Sequence, residues 1–297
     1  NLTCNITNTQ FTGAVSEGQT AVFRTKITDI AGNITTSSNT INLIRDETAG
    51  TVSDVTSSKT NGSYKASEDI YIQIKFSETV VVSGSPQLAL NSTDSGSAAI
   101  ATFDTSAPST SSGISTTTNT NDTLHFKYTV GAGHNVSDLN YSATGSLTLN
   151  SGTIRDSAGN NVTLTLPGTS ASGSLGVNKA IVIDTTVPSA FNVTSVTSKT
   201  GTVVSGYYNT TNDGIDVVVP IANDTSLVDG SVQLQVSVDS GSNYSNIANA
   251  VTITSSHVTA TSVTYPVTDS QFTTLVNDTQ TATFRAIISD KAGNTTT

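Results

Sequence analysis

The sequence predicts an all-β chain of antiparallel β-sandwiches, repeated in tandem and arranged as a rod. Three observations predict it. Short runs alternate apolar or β-branched residues with polar ones, as in Ile70-Tyr71-Ile72-Gln73-Ile74-Lys75-Phe76, and clusters of Gly, Asn, Asp or Ser bound each run. The motif Asp-x-Ala-Gly-Asn occurs three times, at Asp29–Asn33, Asp156–Asn160 and Asp290–Asn294. No window sustains an apolar stripe at the helical period, so helices are expected to be single turns at most.

Residues 1–46 are expected to carry the last strands of one domain, over Thr3–Asn8, Thr20–Thr28 and Thr35–Arg45. Residues 47–184 form a complete domain, with strands over Ile70–Phe76, Ala98–Phe103 and Leu124–Val130 and an exposed Ser/Thr-rich loop at Thr105–Asn121. Residues 185–297 begin another domain, with a strand over Ser231–Val238, and stop at the third Ala-Gly-Asn turn. The two ends of the chain match without a gap at an offset of 261. Gln10-Phe11-Thr12 faces Gln271-Phe272-Thr273, Gln19-Thr20 faces Gln280-Thr281, and Phe23-Arg24 faces Phe284-Arg285. Val55–Thr60 is echoed at Val196–Thr200, and Leu43–Thr48 at Val182–Thr186. A steady period of this size means tandem domains of about 130–140 residues. A parallel β-helix would need a period nearer 20–30, which is not found. By comparison with residues 34–46 the last domain lacks its final strand. The chain is then either a window on a longer array or a subunit completed by another copy. Asn at position 1, with no basic stretch behind it, fits a mature chain or an internal start.

Composition narrows the function. Of 297 residues only 11% are charged and 5% aromatic, while Ser plus Thr number 96 and Asn 25. With 35% hydrophobic residues and so little charge, the chain has the makings of a core rather than of a disordered segment. Twelve basic against 22 acidic residues give a net charge of −10, and Lys and Arg are nowhere clustered, which excludes nucleic acid as a partner. No apolar run approaches the ~18–20 residues of a membrane-spanning helix. Lone Cys4 has no partner for an internal disulfide.

The middle of the chain resembles the immunoglobulin-like (cadherin-like) repeats of giant bacterial and archaeal adhesins and surface-layer proteins. Ile74–Val80, Asp138-Leu139-Asn140-Tyr141, Leu147–Ile154, Asp156–Asn160, Leu164–Pro167 and Asn178–Val187 carry the resemblance. It covers residues 47–187 and reaches the flanking domains through the Ala-Gly-Asn turn. It implies a self-associating or array-forming protein at the cell surface, outside the cell.

Two readings of the Asp-x-Ala-Gly-Asn turn stand side by side. Glycine permits positive φ and Asn tolerates it, so the segment serves as a tight connection whose Asp accepts backbone N–H groups. The resemblance adds Ca²⁺ at the domain junctions. In a seven-strand sandwich the start of the domain and two of its loops share one end. Asp46, Glu47, Glu78 and Asp156 would then converge at one junction, and Asp184, Asp224 and Asp290 at the next. Hard cations want six to eight oxygen ligands, although no Asp-x-Asp-x-Asp loop is present.

Asn-x-Ser/Thr sequons stand at Asn1, Asn5, Asn33, Asn61, Asn91, Asn121, Asn135, Asn140, Asn161, Asn192, Asn209, Asn223, Asn243, Asn277 and Asn294. That is 15 of 25 asparagines, where the Ser/Thr content alone would give about eight. The excess points to N-linked glycans and to a lineage, such as the archaea, that displays them; composition bias is the alternative. Catalysis finds no support. His125, His134 and His257 are scattered without metal spacing, and neither a Gly-x-Ser-x-Gly elbow nor a phosphate loop is present. His125 reads as a strand residue, Tyr141 as a sandwich-corner packing residue, and Cys4 as the counterpart of Tyr265.

The function expected from the sequence is an extracellular structural protein, in a fibre, stalk or surface layer, glycosylated and stiffened by Ca²⁺. The alternatives are a ligand-binding adhesin, a filament subunit that polymerises by donor-strand exchange, and accessory repeats of a secreted hydrolase.

Overall fold

The computed structural model describes residues 3–94, 97–105 and 120–297. Among the described residues strand makes up 42% and helix 10%, in several mostly antiparallel sheets, as the alternation predicts.

At the N-terminus helix α1 (Asn8–Ala14) precedes strands β1 (Thr20–Phe23), β2 (Lys26–Thr28), β3 (Ile34–Thr36) and β4 (Ile41–Ile44). β1 pairs with β4 and β2 with β3, both antiparallel. The expected strand at Thr3–Asn8 is absent, and α1 is longer than a single turn. Its cause is a capping box: Thr7 Oγ1 accepts from Gln10 N–H while the Gln10 side chain accepts from Thr7 N–H.

The middle of the chain contains β5 (Val52–Ser57), β6 (Gly62–Tyr64), β7 (Asp69–Ser83), β8 (Gln87–Asp94), β9 (Ser97–Phe103), β10 (Thr120–Thr129), β11 (Leu147–Thr148), β12 (Thr153–Asp156), helix α2 (Leu175–Asn178) and β13 (Ile181–Ile183). One sheet runs β11-β8-β9-β10-β7-β12, and β5 also pairs with the 15-residue β7. The predicted strand at Ile70–Phe76 lies within β7, where Ile70, Ile72, Ile74 and Phe76 are buried beside Val55, Leu88 and Phe126 in a single cluster. β13 pairs with β6 in parallel, in a separate two-stranded sheet. Apart from its ends at Thr105 and Thr120–Asn121, the Ser/Thr-rich stretch 105–121 lies outside the described residues.

The rest comprises β14 (Ser195–Lys199), β15 (Gly214–Pro220), a 3-10 turn (Thr225–Leu227), β16 (Ser231–Ser237), β17 (Ser245–Asn246), β18 (Val251–Thr252), α3 (Ser255–Ala260), β19 (Ser262–Thr268), α4 (Asp269–Leu275), β20 (Thr283–Ser289) and β21 (Thr295–Thr296). The sheets β14-β15-β19 and β17-β16-β20-β21 share one core, which takes Ile215, Val217 and Val219 from β15 and Val232, Leu234 and Val236 from β16. α4 carries the same capping box as α1, with Thr268 and Gln271 in place of Thr7 and Gln10.

The offset of 261 therefore repeats in three dimensions. Phe11 stacks on Phe23 with 6.3 Å between centroids and 15° between planes, and Phe272 stacks on Phe284 at 6.4 Å and 15°. Burial does not repeat. Ile288 is 1% exposed but its counterpart Ile27 is 68% exposed, and no residue between 3 and 46 is buried. The N-terminal copy has the local structure without the sheet that covers it. An alanine pair separates the two cases. Ile288→Ala is expected to cost about 2–5 kcal/mol through lost transfer energy and a cavity, whereas Ile27→Ala should stay within about 0.5 kcal/mol. Urea midpoints of the two variants check this.

Candidate functional site

The three Asp-x-Ala-Gly-Asn turns adopt one conformation. In each, the Asp N–H donates to the Asn carbonyl and the Gly N–H donates back to the Asp carbonyl. Gly32, Gly159 and Gly293 sit at φ of 89°, 99° and 88°, a region closed to most side chains. In each the Asn also donates twice to the Asp carboxylate, from its backbone N–H and from Nδ2. Asp156 Oδ1 further accepts from Ala158 and Gly159 N–H at 2.9 and 2.7 Å. Burial alone would push the Asp156 carboxyl up. The Asn160 side chain and the N–H groups of Asn160, Gly159 and Ala158 outweigh it and hold the group below the usual aspartate range.

Two of the turns hold a second segment. Asn160 Nδ2 donates to the Asp46 carbonyl at 3.1 Å, and Asn294 Nδ2 donates to the Asp184 carbonyl at 2.9 Å. Asp46 and Asp184 are equivalent positions, so a turn residue more than a hundred positions away ties down each connecting segment. Sequence reasoning missed this role for Asn160. The signal for it was the Asn that closes the motif every time.

At the first connection Asp46, Glu78 and Asp156 bring carboxylate oxygens within 4.8 Å of one another. Asp46 comes from the connecting segment, Glu78 from mid-β7 and Asp156 from the end of β12. None of the three forms an ion pair among the described residues. Burial raises the Glu78 carboxyl above its ordinary range, and the charges on Asp156 and Asp46 push it further. Glu78 lies over Gly50, where a Cβ would stand 3.0 Å from Oε1, so Gly50 leaves the carboxylate its space. The donor set is hard oxygen throughout, which fits Ca²⁺, with backbone carbonyls and water needed to reach six to eight ligands. Glu47 is outside the trio, and its carboxylate meets Arg45 Nη2 at 3.0 Å.

The second connection is looser. Burial raises the Asp184 carboxyl, and the charges of Asp290 and Asp224 add to it. Asp224 is the cap of the 3-10 turn and accepts from Ser226 N–H, while Asp290 is buried in its turn. Among the described residues, only the first trio comes within 4.8 Å.

The sequon asparagines fall into distinct environments. Asn5, Asn33, Asn61, Asn135, Asn161, Asn192, Asn223, Asn243 and Asn277 are exposed, and Asn91 and Asn209 are half-buried. Asn140 and Asn294 are buried, with Nδ2 donating to the Thr169 carbonyl and the Asp184 carbonyl respectively. A glycan at either would displace those bonds. Asn1 and the side chain of Asn121 lie outside the described residues.

Tyr141 is buried and its hydroxyl donates to the Pro167 carbonyl. Cys4 is exposed and lies outside any strand, whereas its counterpart Tyr265 is buried and donates to the Asn249 carbonyl. His134 Nδ1 meets the Tyr128 hydroxyl at 2.8 Å, and His257 completes a capping box with Thr254. His125 is 6% exposed with neither ring nitrogen hydrogen-bonded. Burial pushes its pKa down, against a smaller upward pull from Asp104. A depressed folded value means that the unfolded chain takes up the proton first. Stability is then complete above pH ~6.5 and falls as pH drops from there towards the folded value, by at most about 1.4 kcal/mol per pH unit. A His125→Leu variant should lose that slope in denaturant melts between pH 5 and 7.

No protein-family model matches the chain, and a search of curated proteins finds no match either.

Proposed function

We propose that this chain is an extracellular structural protein of tandem immunoglobulin-like sandwiches, serving a fibre, stalk or surface layer, with N-linked glycans on its exposed asparagines and Ca²⁺ at its junctions. The observation that carries this reading is the twice-built connection. At both, a turn asparagine grips the backbone of the connecting segment, and at the first, carboxylates from three separate elements gather beside it. Holding successive units at a fixed setting is what a load-bearing or spacing array requires, since each unit in such an array contacts only its neighbours. Eleven sequon asparagines with exposed or half-exposed side chains support glycosylation, and the low charge with abundant Ser and Thr suits a hydrated surface.

Immunogold labelling of intact cells, paired with glycan staining of the purified native protein, tests the reading. Surface labelling in a regular layer or along fibres, with a mass decrease on glycan removal, is the expected result. Labelling confined to the cell interior would overturn it.

A further inference from the structure

The middle unit and the one that follows it have separate cores, one gathered between Val55 and Ile183 and the other between Ile215 and Ile288. Units with separate cores move against each other unless something besides the connecting segment holds them. The segment itself is anchored at both ends. On the middle unit, Asp184 N–H donates to the Tyr64 carbonyl at 3.0 Å, Thr185 N–H to Asn135 Oδ1 at 2.8 Å, and Gly133 N–H to Thr185 Oγ1 at 3.0 Å. On the following unit, Phe191 and Val193 pack against the second core. Between these anchors Pro188 has a fixed φ and keeps Val187 out of the helical region, which leaves a short, stiff pivot. The bond from Asn294 Nδ2 to the Asp184 carbonyl lies on this segment, so it holds the pivot in place without fixing the angle about it.

A second attachment lies off the segment. Lys65 Nζ donates to the Gly293 carbonyl at 2.9 Å, from the body of the middle unit to the turn of the next. The lysine stem also lies along Gly293, where a Cβ would stand 3.5 Å from Nζ and 3.9 Å from Cδ and Cε. Both partners are presented by braced loops. Lys65 N–H donates to Glu68 Oε1, Glu68 Oε2 pairs with Lys59 Nζ at 3.2 Å, and Ser67, at φ 72°, donates to the Val130 carbonyl. Gly293 sits inside the buried Asp290–Asn294 clip, and Lys291 N–H ties that turn to the Ser226 carbonyl at 3.0 Å. Groups already held in place lose little freedom when they meet, and a charged donor strengthens the bond they form.

We propose that Lys65 is the latch that sets the angle between these two units, its ammonium docking on the carbonyl of the third Asp-x-Ala-Gly-Asn turn. Two attachments, one at the pivot and one beside it, fix an orientation that the pivot alone leaves free. The latch deepens the structural reading above, in which successive units are held at one setting, and involves neither glycans nor Ca²⁺.

The test measures the inter-unit distance distribution by double electron–electron resonance on the full 297-residue chain in EGTA. Nitroxide labels are placed through Thr148→Cys and Ser270→Cys, both at exposed positions, with Cys4→Ser to remove the exposed native thiol. The parent should give one narrow distance. Lys65→Met, which keeps the stem and removes the ammonium, should widen the distribution about twofold or more while the melting curve stays unchanged, as should Lys65→Ala. A parent distribution already as broad as that of Lys65→Met would overturn a set angle. A narrow parent with an equally narrow Lys65→Met would overturn Lys65 as the latch, whatever Lys65→Ala does, and would leave the extracellular structural reading to its own test by surface labelling.

Discussion

Replacing Asp156 by alanine is expected to destabilise the central unit by about 3 kcal/mol. The carboxylate accepts from three backbone N–H groups and from Asn160 Nδ2, and the residue is 2% exposed. Hydrogen bonds to a charged acceptor contribute about 1.5–3 kcal/mol each, and buried donors left without one carry their desolvation cost. Water can reach the exposed Ala158 and Gly159 and take over part of these bonds, which keeps the expected loss well below their sum. The damage should also spread. Asn160 loses the partner that aims its amide, and with it the grip on the Asp46 carbonyl. Proteolysis at the connecting segment around residue 46 should then accelerate together with the fall in melting temperature. Asp29 makes the same two bonds with Asn33 in the coreless N-terminal copy, and Asp29→Ala should leave the main melting transition in place. The folded Asp156 carboxyl titrates below the ordinary 3.8. Its contribution is thus complete above that pH and is lost as pH falls through the lower folded value. An Asp156→Asn variant should flatten the acid limb of the stability profile.

Calcium should stabilise the chain, and Glu78 should be the residue that decides how much. Three carboxylates within 4.8 Å repel one another, and burial together with that repulsion raises Glu78. A raised carboxyl has the opposite sign to Asp156: the stability associated with its neutral form is lost as pH rises through the folded value. At neutral pH the trio therefore works against the fold until a cation neutralises it. At a hundredfold excess over Kd, a ligand bound only by the folded state adds about 2.7 kcal/mol. Calorimetric melts in Ca²⁺ and in EGTA should show an upward shift of this order. Glu78→Gln should melt higher than the parent in EGTA and lose most of the shift in Ca²⁺. That crossing of order distinguishes a cation site from a structural carboxylate cluster. Glu78→Gln melting below the parent in EGTA, or an identical Ca²⁺ response, would remove the site. Magnesium should shift the melts less, since it demands tighter octahedral geometry and sheds water reluctantly.

The sequence by itself determined the strand class and the repeat. The alternation over Ile70–Phe76 fixes which face of β7 is buried, because side chains on a strand alternate between faces. The three Asp-x-Ala-Gly-Asn turns follow from chemistry contained within five residues, a glycine free to take positive φ and a short carboxylate facing a short amide. The helices α1 and α4 were equally local, written as Thr-x-x-Gln capping boxes, but a search for apolar periodicity passes over a helix specified by its cap. Only the tertiary structure decided the rest. Glu47 and Glu78 look equivalent as junction acids in the sequence, and the fold gives one to Arg45 and the other to Asp46 and Asp156. Asn140 and Asn161 carry equivalent sequons, yet one is buried against Thr169 and the other is exposed. Ile27 and Ile288 occupy matching strands, and one is bare while the other is buried in the core that its sheet shares with β14-β15-β19. For Glu78, Asn140 and Ile288 the deciding partners lie far away along the chain, whereas Glu47 is claimed by its near neighbour Arg45. Local sequence sets a residue's backbone, whereas its burial and its charge neighbours are properties of what packs against it.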